Sequence, residues 1–324
     1  MAKLKFGVIG VGGMGNLHLS NLKALSEVEV VAISDINEAR LAEIGEKYNI
    51  PKCFTDYRKL LESGVDAVVV ATPPFAHRNP VVEALERGIH VFLEKPMAAN
   101  LKDAEEMYNA AIRSSAFLMV GYCLRFHDLY EWIKEQSETR LGEPVNLAHV
   151  AFGSIPAHTW LLKKELSGGM LNENGVHVLY VMYWYAGKFK RVQALSKTLN
   201  NDISIEDNIA FQALHEKGAF SSFIQSWSCT HPYRSWAMCF ENGTITFDGY
   251  LGGEVKLSAR DSSKVETKIF EMEWQNMYRR EIEHFVHSIM RGEKPVINEV
   301  DGLEIQKAVD AAYRSAETGQ AVEL

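Results

Sequence analysis

The chain carries near its start the stretch Gly10-Val11-Gly12-Gly13-Met14-Gly15, a glycine-rich loop that decides the fold. An apolar, β-rich run, Lys5–Gly10, precedes the loop and a helical pattern follows it. The order strand, G-x-G-x-x-G loop, helix is typical of a dinucleotide-binding unit. In such a unit Gly10 permits a tight turn, Gly12 lets the backbone approach a pyrophosphate, and Gly15 lets the helix pack close to the strand.

A carboxylate follows the second predicted strand at a spacing suited to ribose recognition. Asp35 stands twenty residues after Gly15, at the end of the predicted strand Val28–Ser34. Its oxygens can accept hydrogen bonds from the adenosine ribose hydroxyls, and its charge repels a 2′-phosphate. The pattern therefore favours NAD over NADP, although Arg40 keeps NADP open. The alternative interpretation of Asp35 is a helix-capping or turn residue.

The first 121 residues alternate β-rich runs with amphipathic helical stretches, which predicts a parallel sheet with helices on both faces. After Gly142-Glu143-Pro144 a long helical segment, Gly169–Ala186, is followed by strands joined by short turns, which predicts antiparallel sheet. The sequence thus predicts an α/β protein with a doubly wound Rossmann domain over 1–121 and a second domain over 122–324. The predicted strands of the first domain are Lys5–Gly10, Val28–Ser34, Asp66–Ala71, His90–Leu93 and Phe117–Tyr122.

Composition and charge disfavour several classes of function for this chain of 324 residues. Hydrophobic residues make up 47% and charged residues 23%, as in ordinary globular proteins. The formal net charge of −8, with Lys and Arg scattered, disfavours nucleic acid as a partner. The longest apolar stretch, Val178–Gly187, has about half of the ~20 residues that a membrane-spanning helix needs, so we expect no membrane span.

The cysteines and the start of the chain bear on metal content and location. The four cysteines lie far apart, with no C-x-x-C pair and no histidine beside them at metal-site spacing. A structural zinc and a disulfide framework are therefore both disfavoured, and we expect no metal. Glycines break the apolar start and no small-residue cleavage site follows it, so the sequence favours a cytoplasmic protein over a secreted one.

Two polar clusters follow strands of the predicted parallel sheet. Thr72-Pro73-Pro74-Phe75-Ala76-His77 comes after one strand, and Glu94-Lys95-Pro96 comes after another. Doubly wound sheets bind ligands beyond the carboxyl ends of their strands, so both clusters are expected at the edge that carries the glycine loop. Elsewhere they would be an ordinary turn and a solvated charge pair. The residues predicted here to bind the cofactor are Thr72, Pro73, His77, Glu94 and Lys95.

Lys95 is also the candidate base of this half of the chain. A lysine at the mouth of a partly closed cleft can lose part of its hydration and then accept a proton near neutral pH. Oxidation of an alcohol by hydride transfer requires that the alcohol proton be removed as the hydride leaves. Lys95 is therefore predicted to take or share that proton.

A second cluster lies at the start of the long helical segment. Gly168-Gly169 precedes a helix on which Glu173 and His177 stand four residues apart and share one face. A carboxylate can orient an imidazole, so the pair predicts an acid/base site, and it also matches half of a metal site. The alternative interpretations are a surface pair or a core histidine whose hydrogen bonds are satisfied within the protein. The polar run Asn172-Glu173-Asn174 interrupts an otherwise apolar helix, which favours contact with a ligand.

The remaining candidates are predicted to contact substrate. Tyr122 and Arg125 follow the fifth predicted strand, Trp160 precedes the glycine pair, and Asn174 belongs to the polar run. The alternative interpretations are core or interface aromatic residues for Tyr122 and Trp160, and a structural ion pair for Arg125.

Together these motifs resemble one family of enzymes. The glycine loop, Thr72-Pro73 with His77, Glu94-Lys95-Pro96, and Gly168-Gly169 followed by Gly175-x-His177 are similar to the glucose–fructose oxidoreductase / inositol dehydrogenase / rhizopine catabolism (Gfo/Idh/MocA) family. The resemblance implies a C-terminal α/β domain with a large, mostly antiparallel open sheet that forms homodimers or homotetramers. It also implies NAD(P)-dependent hydride transfer on sugars, polyols or their derivatives, with Lys95 as the catalytic lysine and His177 as the acid/base.

Three positions depart from the family pattern. Glu173 stands in place of the usual aspartate, Pro74 in place of an asparagine after Thr-Pro, and Tyr180 in place of an acidic residue three after the histidine. Two other functions stay open: an NAD-dependent glycosidase with transient oxidation and no net NADH production, and a non-catalytic nucleotide-binding sensor. Sensors of this kind often lose the lysine or the histidine, whereas this chain has both.

Overall fold

The computed structural model describes residues 3–156 and 160–324, which form two compact units. The first unit holds the chain up to Tyr122 together with Tyr278–Leu303, and the second holds Cys123–Met277 and Glu304–Leu324. The boundary expected from the sequence assigned everything after residue 121 to the second domain. The structure instead returns Tyr278–Leu303 to the first unit.

Aromatic packing explains this return. The ring of Phe285 lies 6.2 Å from that of Phe6 and 5.8 Å from that of Phe92, in edge-to-face arrangements. All three side chains are fully buried, and such pairs contribute about 0.5–1.5 kcal/mol beyond the area that they bury. A change in sequence pattern indicates where along the chain one domain ends. It does not indicate that a later segment, here Tyr278–Leu303, packs with the first unit.

The first unit contains a parallel sheet of six strands, as predicted. Each predicted strand is present within one residue of its expected ends, and the short, mostly exposed strand Lys52–Phe54 is added to them. The predicted N-cap Asn100 accepts a hydrogen bond from the amide of Asp103 at 2.9 Å. The elements up to the end of this sheet are β1 Leu4–Ile9, α1 Gly13–Lys23, β2 Val28–Ser34, α2 Glu38–Tyr48, β3 Lys52–Phe54, α3 Tyr57–Leu61, β4 Ala67–Val70, α4 Arg78–Glu86, β5 His90–Glu94, α5 Leu101–Arg113 and β6 Leu118–Gly121.

The strand order of this sheet is β3-β2-β1-β4-β5-β6, with all described neighbours parallel. Strands such as Ala67–Val70 are buried along their whole length, because helices cover both faces and leave no polar side. The order runs outward in both directions from β1 and β4, so the carboxyl ends of these two strands form the switch point at which doubly wound sheets bind ligands.

The second unit is built on a mostly antiparallel sheet, again as predicted. Among the described strands of this second sheet, only the pair β7 and β10 is parallel. The predicted turns at Glu216-Lys217-Gly218 and Asn242-Gly243 each join two neighbouring strands. The elements that follow the first sheet are α6 Asp128–Gln136, β7 Pro144–Ser154, α7 Lys164–Ser167, α8 Val176–Ala186, β8 Phe189–Lys197, β9 Asn208–His215, β10 Phe220–Ser226, β11 Ser228–Phe240, β12 Gly243–Asp248, β13 Gly253–Ala259, β14 Glu266–Phe270, α9 Trp274–Arg291, α10 Glu299–Thr318 and β15 Val322–Glu323. Their order in the sheet is β14-β13-β12-β11-β7-β10-β9-β8-β15.

A histidine is buried in the core of this second unit. His149 on β7 is 1% exposed, and its ring centroid lies 4.2 Å from that of Trp236 and 5.6 Å from that of Phe223. Burial lowers the pKa of His149 from 6.5 to about 3, and the positive charge of Arg234 also lowers it. His149 is therefore neutral in the folded protein throughout the neutral and mildly acidic range.

This burial predicts a loss of stability in mild acid. Below pH 6.5 the unfolded chain protonates His149, whereas the folded chain does not until about pH 3. Between pH 6.5 and pH 5 the difference removes about 2 kcal/mol from the free energy of unfolding. Urea denaturation at the two pH values should show this loss reduced in His149→Phe but retained in the exposed control His231→Ala. An unchanged pH dependence in His149→Phe would contradict the prediction.

Candidate functional site

The glycine loop joins β1 to α1 and requires glycine at its two ends. Gly10 has a φ of +85°, and a Cβ on Gly15 would lie 1.8 Å from the carbonyl oxygen of Gly10. By contrast, a Cβ on Gly12 or Gly13 would meet no described atom within 4 Å. The middle of the loop therefore borders open space at the first turn of α1, which is the cradle that a pyrophosphate requires.

Asp35 lies next to this loop at the end of β2. Its Oδ2 accepts a hydrogen bond from the Val11 amide at 2.8 Å, and its Oδ1 accepts one from the Asn37 amide at 2.9 Å. The second contact is a turn contact, so the two interpretations of Asp35 are compatible. Arg40 donates to the Val11 carbonyl oxygen at 3.0 Å and pairs with Glu43 at 2.8 Å. Because Arg40 is held in this way, the geometry favours NAD.

Loss of the Asp35 charge is expected to weaken the preference for NAD. Asp35→Asn removes the repulsion of a 2′-phosphate but keeps a side-chain oxygen that accepts a hydrogen bond. We expect the ratio of the Kd values for NADPH and NADH to fall by about tenfold, or ~1.4 kcal/mol. Fluorescence titration with the two nucleotides measures the ratio, and Glu38→Gln, an exposed acid at the start of α2, is the control. An unchanged ratio in Asp35→Asn would show that the charge does not select the nucleotide.

Thr72 carries a polar atom with no partner at the same edge. Its Oγ1 is buried and has no hydrogen-bond partner among the described residues. The backbone of Thr72 lies beside the loop, because a Cβ on Gly10 would come within 3.0 Å of the Thr72 amide nitrogen. Buried hydroxyls are normally hydrogen-bonded, so this atom fits a bound nucleotide that offers the missing partner.

His77 holds two segments of this edge together. Its Nε2 lies 2.7 Å from the carbonyl oxygen of Thr72, and its Nδ1 lies 3.1 Å from that of Pro96 and 3.2 Å from that of Met97. Burial lowers the pKa of His77, and the three carbonyl oxygens offset part of that effect. The ring has no exposed surface and joins the Thr72 segment to the Pro96 segment, and the contact of His77 with a cofactor stays a prediction.

Lys95 and Glu94 differ in exposure although they are neighbours. Lys95 follows the last residue of β5 and is half-buried, whereas Glu94 is 5% exposed. Glu94 Oε1 accepts a hydrogen bond from His18 Nε2 at 2.5 Å. Glu94 is therefore turned into the interior of the first unit, and Lys95 is the more exposed residue of the pair. The cofactor contact of Glu94 stays a prediction.

In the second unit, the predicted helix Gly169–Ala186 begins with an irregular turn. Leu171–Gly175 forms one π-helical turn, and the regular helix α8 starts at Val176. Within residues 170–182, Glu173, Asn174 and His177 are half-buried and all the others are buried. These three side chains therefore lie where the segment is accessible, as a site requires. π-helical turns inside helices are frequent at functional sites.

Three side chains surround the glycine pair that precedes this turn: Glu206 is buried, whereas Lys164 and Tyr313 are partly exposed. Glu206 Oε1 accepts hydrogen bonds from the Leu171 amide at 2.8 Å and the Tyr313 hydroxyl at 2.7 Å. Lys164 Nζ lies 3.7 Å from Glu206 Oε2 and over the Tyr313 ring. Burial lowers the pKa of Lys164, and the Glu206 charge offsets part of this. We call Lys164, Glu206 and Tyr313 the Gly169 cradle; the sequence analysis assigned no role to any of them.

The polar run has protein partners that the sequence did not reveal. Asn172 donates to the Ser167 carbonyl oxygen at 2.8 Å and accepts from Gln306 at 2.9 Å, and it is fully buried. Asn174 Oδ1 accepts from Gln225 at 2.7 Å. The argument that the run needs a ligand is therefore wrong for Asn172, whose hydrogen bonds are made within the protein. Asn174 uses its Oδ1 within the protein, and its contact with substrate stays a prediction.

The other predicted substrate residues are placed in different surroundings. Tyr122 is 1% exposed in the first unit, where it is a core residue. Arg125, in the second unit, donates to the Tyr180 hydroxyl at 3.2 Å and stacks 4.6 Å from the centroid of the Trp184 ring. The structural interpretation of Arg125 thus has support, although its partners are aromatic side chains and not acids. Trp160 is half-buried.

Metal ligands and membrane-spanning helices are two further features that bear on function. Among residues 3–156 and 160–324, no group of three or more His, Cys, Asp or Glu side chains could hold a metal ion. In the same part of the chain, no helix is both long and apolar enough to span a bilayer.

The glycine loop, the acid after β2 and the parallel sheet together define a dinucleotide-dependent enzyme of the Rossmann class. A family model described as oxidoreductase family, NAD-binding Rossmann fold matches residues 4–122, and one described as oxidoreductase family, C-terminal alpha/beta domain matches residues 134–324. The chain therefore belongs to the Gfo/Idh/MocA family of oxidoreductases, as its motifs suggested. Its first unit is an NAD-binding domain.

Individual relatives extend over the whole chain. D-xylose 1-dehydrogenase (NADP(+)) 2 of Haloferax volcanii is 27% identical, over 99% of this chain and 100% of the relative. Myo-inositol 2-dehydrogenase of Thermotoga maritima is 26% identical, over 99% of this chain and 98% of the relative. The solved structure of levoglucosan dehydrogenase in complex with NADH and L-sorbose shares the fold, with a TM-score of 0.90, 19% identity, and coverage of 100% of this chain and 99% of that one.

Proposed function

We propose that the protein is an NAD-dependent dehydrogenase that oxidises a CH–OH group of a sugar, a polyol or a sugar derivative. The observation that carries the proposal is the half-buried Lys95 at the carboxyl end of β5, on the same sheet edge as the glycine loop. Relatives named as xylose and inositol dehydrogenases support the substrate class.

The proposed reaction has two parts: the alcohol loses a proton to the protein and a hydride to the cofactor. When bound, NAD supplies the acceptor for the hydride. Lys95 Nζ takes or shares the proton of the alcohol, and His177 acts as the acid/base of the second unit, with Glu173 orienting its ring. Asn174 and Trp160 contact the substrate through their accessible atoms. Because the glycine loop and Asp35 provide most of the predicted nucleotide contacts, loss of these residues is expected to affect turnover more than nucleotide binding.

The test is a panel of sugars, polyols and glycosides incubated with the purified protein and NAD or NADP. Absorbance of reduced nicotinamide is followed together with product analysis. Reduced nicotinamide formed with a sugar or polyol supports the proposal, and its absence from His177→Ala supports the role of that residue. Glycoside cleavage without net reduction would overturn the proposal in favour of a hydrolase. Nucleotide binding without turnover of any compound would count against a dehydrogenase of this class.

We propose in addition that the protein is cytoplasmic and forms a homodimer or homotetramer through its large sheet. Leu195 and Ile224, 70% and 45% exposed, are each paired with Ala210, so they lie in one row across three strands. Apolar side chains in such a row favour contact with a second copy of the sheet. Light scattering during size-exclusion chromatography tests the assembly, and a monomer would contradict it.

A further inference from the structure

Three buried titratable side chains in the first unit lie close to Lys95. His18 on α1, Glu94 at the end of β5 and Glu281 on α9 are 0%, 5% and 0% exposed. His18 Nε2 and Glu94 Oε1 lie 2.5 Å apart, within hydrogen-bonding distance. Buried titratable groups are costly, so their presence in one place calls for an explanation beyond packing.

Glu94 links the glycine-loop helix to the backbone of Lys95. While Oε1 accepts from His18 on α1, Oε2 accepts from the Lys95 amide at 3.2 Å. α1 itself begins in the glycine loop, and His18 stands three residues after Gly15. One carboxylate therefore ties the nucleotide-binding element to the segment that carries Lys95. His77, which binds the carbonyl oxygens of the two residues after Lys95, holds that segment from its other end.

Glu281 brings a second carboxyl group to the same strand ends. Gly121 on β6 pairs with Glu94 on β5. The Glu281 side chain occupies the space beside Gly121, because a Cβ built on that glycine would lie 3.5 Å from Glu281 Oε1 and 3.4 Å from the Leu93 carbonyl oxygen. Neither carboxyl oxygen of Glu281 has a hydrogen-bond partner among the described residues. Burial raises the pKa of Glu281 well above its ordinary value, and the charge of Glu94 raises it further.

We propose that His18, Glu94 and Glu281 form a positioning cluster for Lys95, in which the Glu94 carboxylate holds the Lys95 backbone and Glu281 is an uncharged carboxylic acid. A second buried negative charge without a cation would repel Glu94 and compete for the His18 proton. A neutral carboxylic acid fills the space beside Gly121 and neither repels Glu94 nor competes for the His18 proton. The inference rests on the proposed function, in which Lys95 handles the alcohol proton.

The positioning role is tested by a double-mutant cycle between Glu94 and Lys95. A glutamine at position 94 has one acceptor oxygen in place of two, so it keeps only one of the hydrogen bonds from His18 and the Lys95 amide. Glu94→Gln is therefore expected to lower kcat by about 10–100-fold, with the KM for NAD changed less than about threefold. Because Glu94 acts through Lys95, Glu94→Gln combined with Lys95→Met should be no slower than Lys95→Met alone. If Glu94→Gln lowers kcat by the same factor with Lys95→Met present as it does in the wild type, Glu94 does not act through Lys95. That result would assign Glu94 a purely structural role and overturn the proposal.

The state of Glu281 is tested without any substrate. Glu281→Gln replaces the carboxylic acid with a neutral amide of nearly the same shape, so it removes the acid from the spectrum without adding a buried charge. The infrared difference spectrum between wild type and Glu281→Gln should contain the carbonyl band of a protonated carboxylic acid, and Glu283→Gln, partly exposed on the same helix, should lack it. Absence of the band would overturn the proposal even if Glu94→Gln failed to fold. Full activity of Lys95→Met would instead contradict the proposed function.

Discussion

Lys95→Met is expected to lower kcat by about 10²–10⁴-fold while leaving the affinity for NADH nearly unchanged. Methionine keeps much of the length of the lysine side chain but can neither accept nor donate a proton at its end. Lys95 follows β5 and is not part of the glycine loop, so the elements that hold the pyrophosphate and the ribose stay in place. The loss should therefore fall on the chemical step.

Two comparison variants sharpen this experiment. Lys95→Arg keeps the positive charge but cannot release its proton near neutral pH, so it should lose almost as much activity as Lys95→Met. Lys102→Met removes an exposed lysine from α5 of the same unit and should leave kcat unchanged. Steady-state kinetics and NADH fluorescence titration give the two quantities. Activity retained by Lys95→Arg would show that the charge of Lys95 matters and its proton does not.

The first unit was largely predictable because its signals are local. A strand, a glycine loop and a helix occupy consecutive residues. Gly10 is required by its positive φ, and Gly15 is required by its close approach to the Gly10 carbonyl oxygen. Asp35 is found by counting from the loop. The antiparallel sheet was predictable for the same reason, since turn residues such as Asn242-Gly243 stand directly between the strands that they join.

What escaped prediction depends on residues far apart in the chain. Nothing in the spacing of His18, Glu94 and Glu281 indicates that they meet, because Glu281 reaches the first unit only when α9 folds back onto it. Asn172 looked like a ligand contact because its partner Gln306 lies on α10. In both cases the sequence pattern shows that a polar group is present but does not indicate which distant residue is its partner in the folded protein.

The Gly169 cradle leads to the second large effect, a loss of stability in Gly169→Ala. Gly169 has a φ of +109°, and its Cβ would lie 2.1 Å from the Tyr313 hydroxyl oxygen, 2.7 Å from Lys164 Nζ and 2.8 Å from Glu206 Oε2. Tyr313 cannot simply move aside, because Glu206 holds its hydroxyl at 2.7 Å and Lys164 covers its ring. Backbone strain and the lost contacts of the buried Glu206 carboxylate together should cost about 3–4 kcal/mol, because the partly exposed Lys164 contributes less than a buried ion pair would.

Gly218→Ala separates the two causes of this loss. Gly218 has a φ of +94°, but a Cβ there would meet no described atom within 4 Å, so this control incurs only the backbone strain of about 1–2 kcal/mol. Urea denaturation of both variants measures the difference, and NADH titration should show nucleotide binding intact wherever the first unit stays folded. Since the cradle also holds the amide of Leu171, where the turn that carries Glu173 begins, the folded fraction of Gly169→Ala should turn over more slowly than that of Gly218→Ala. Equal stability losses in the two variants would mean that the cradle yields to the methyl group, and that the glycine is required for its backbone conformation alone.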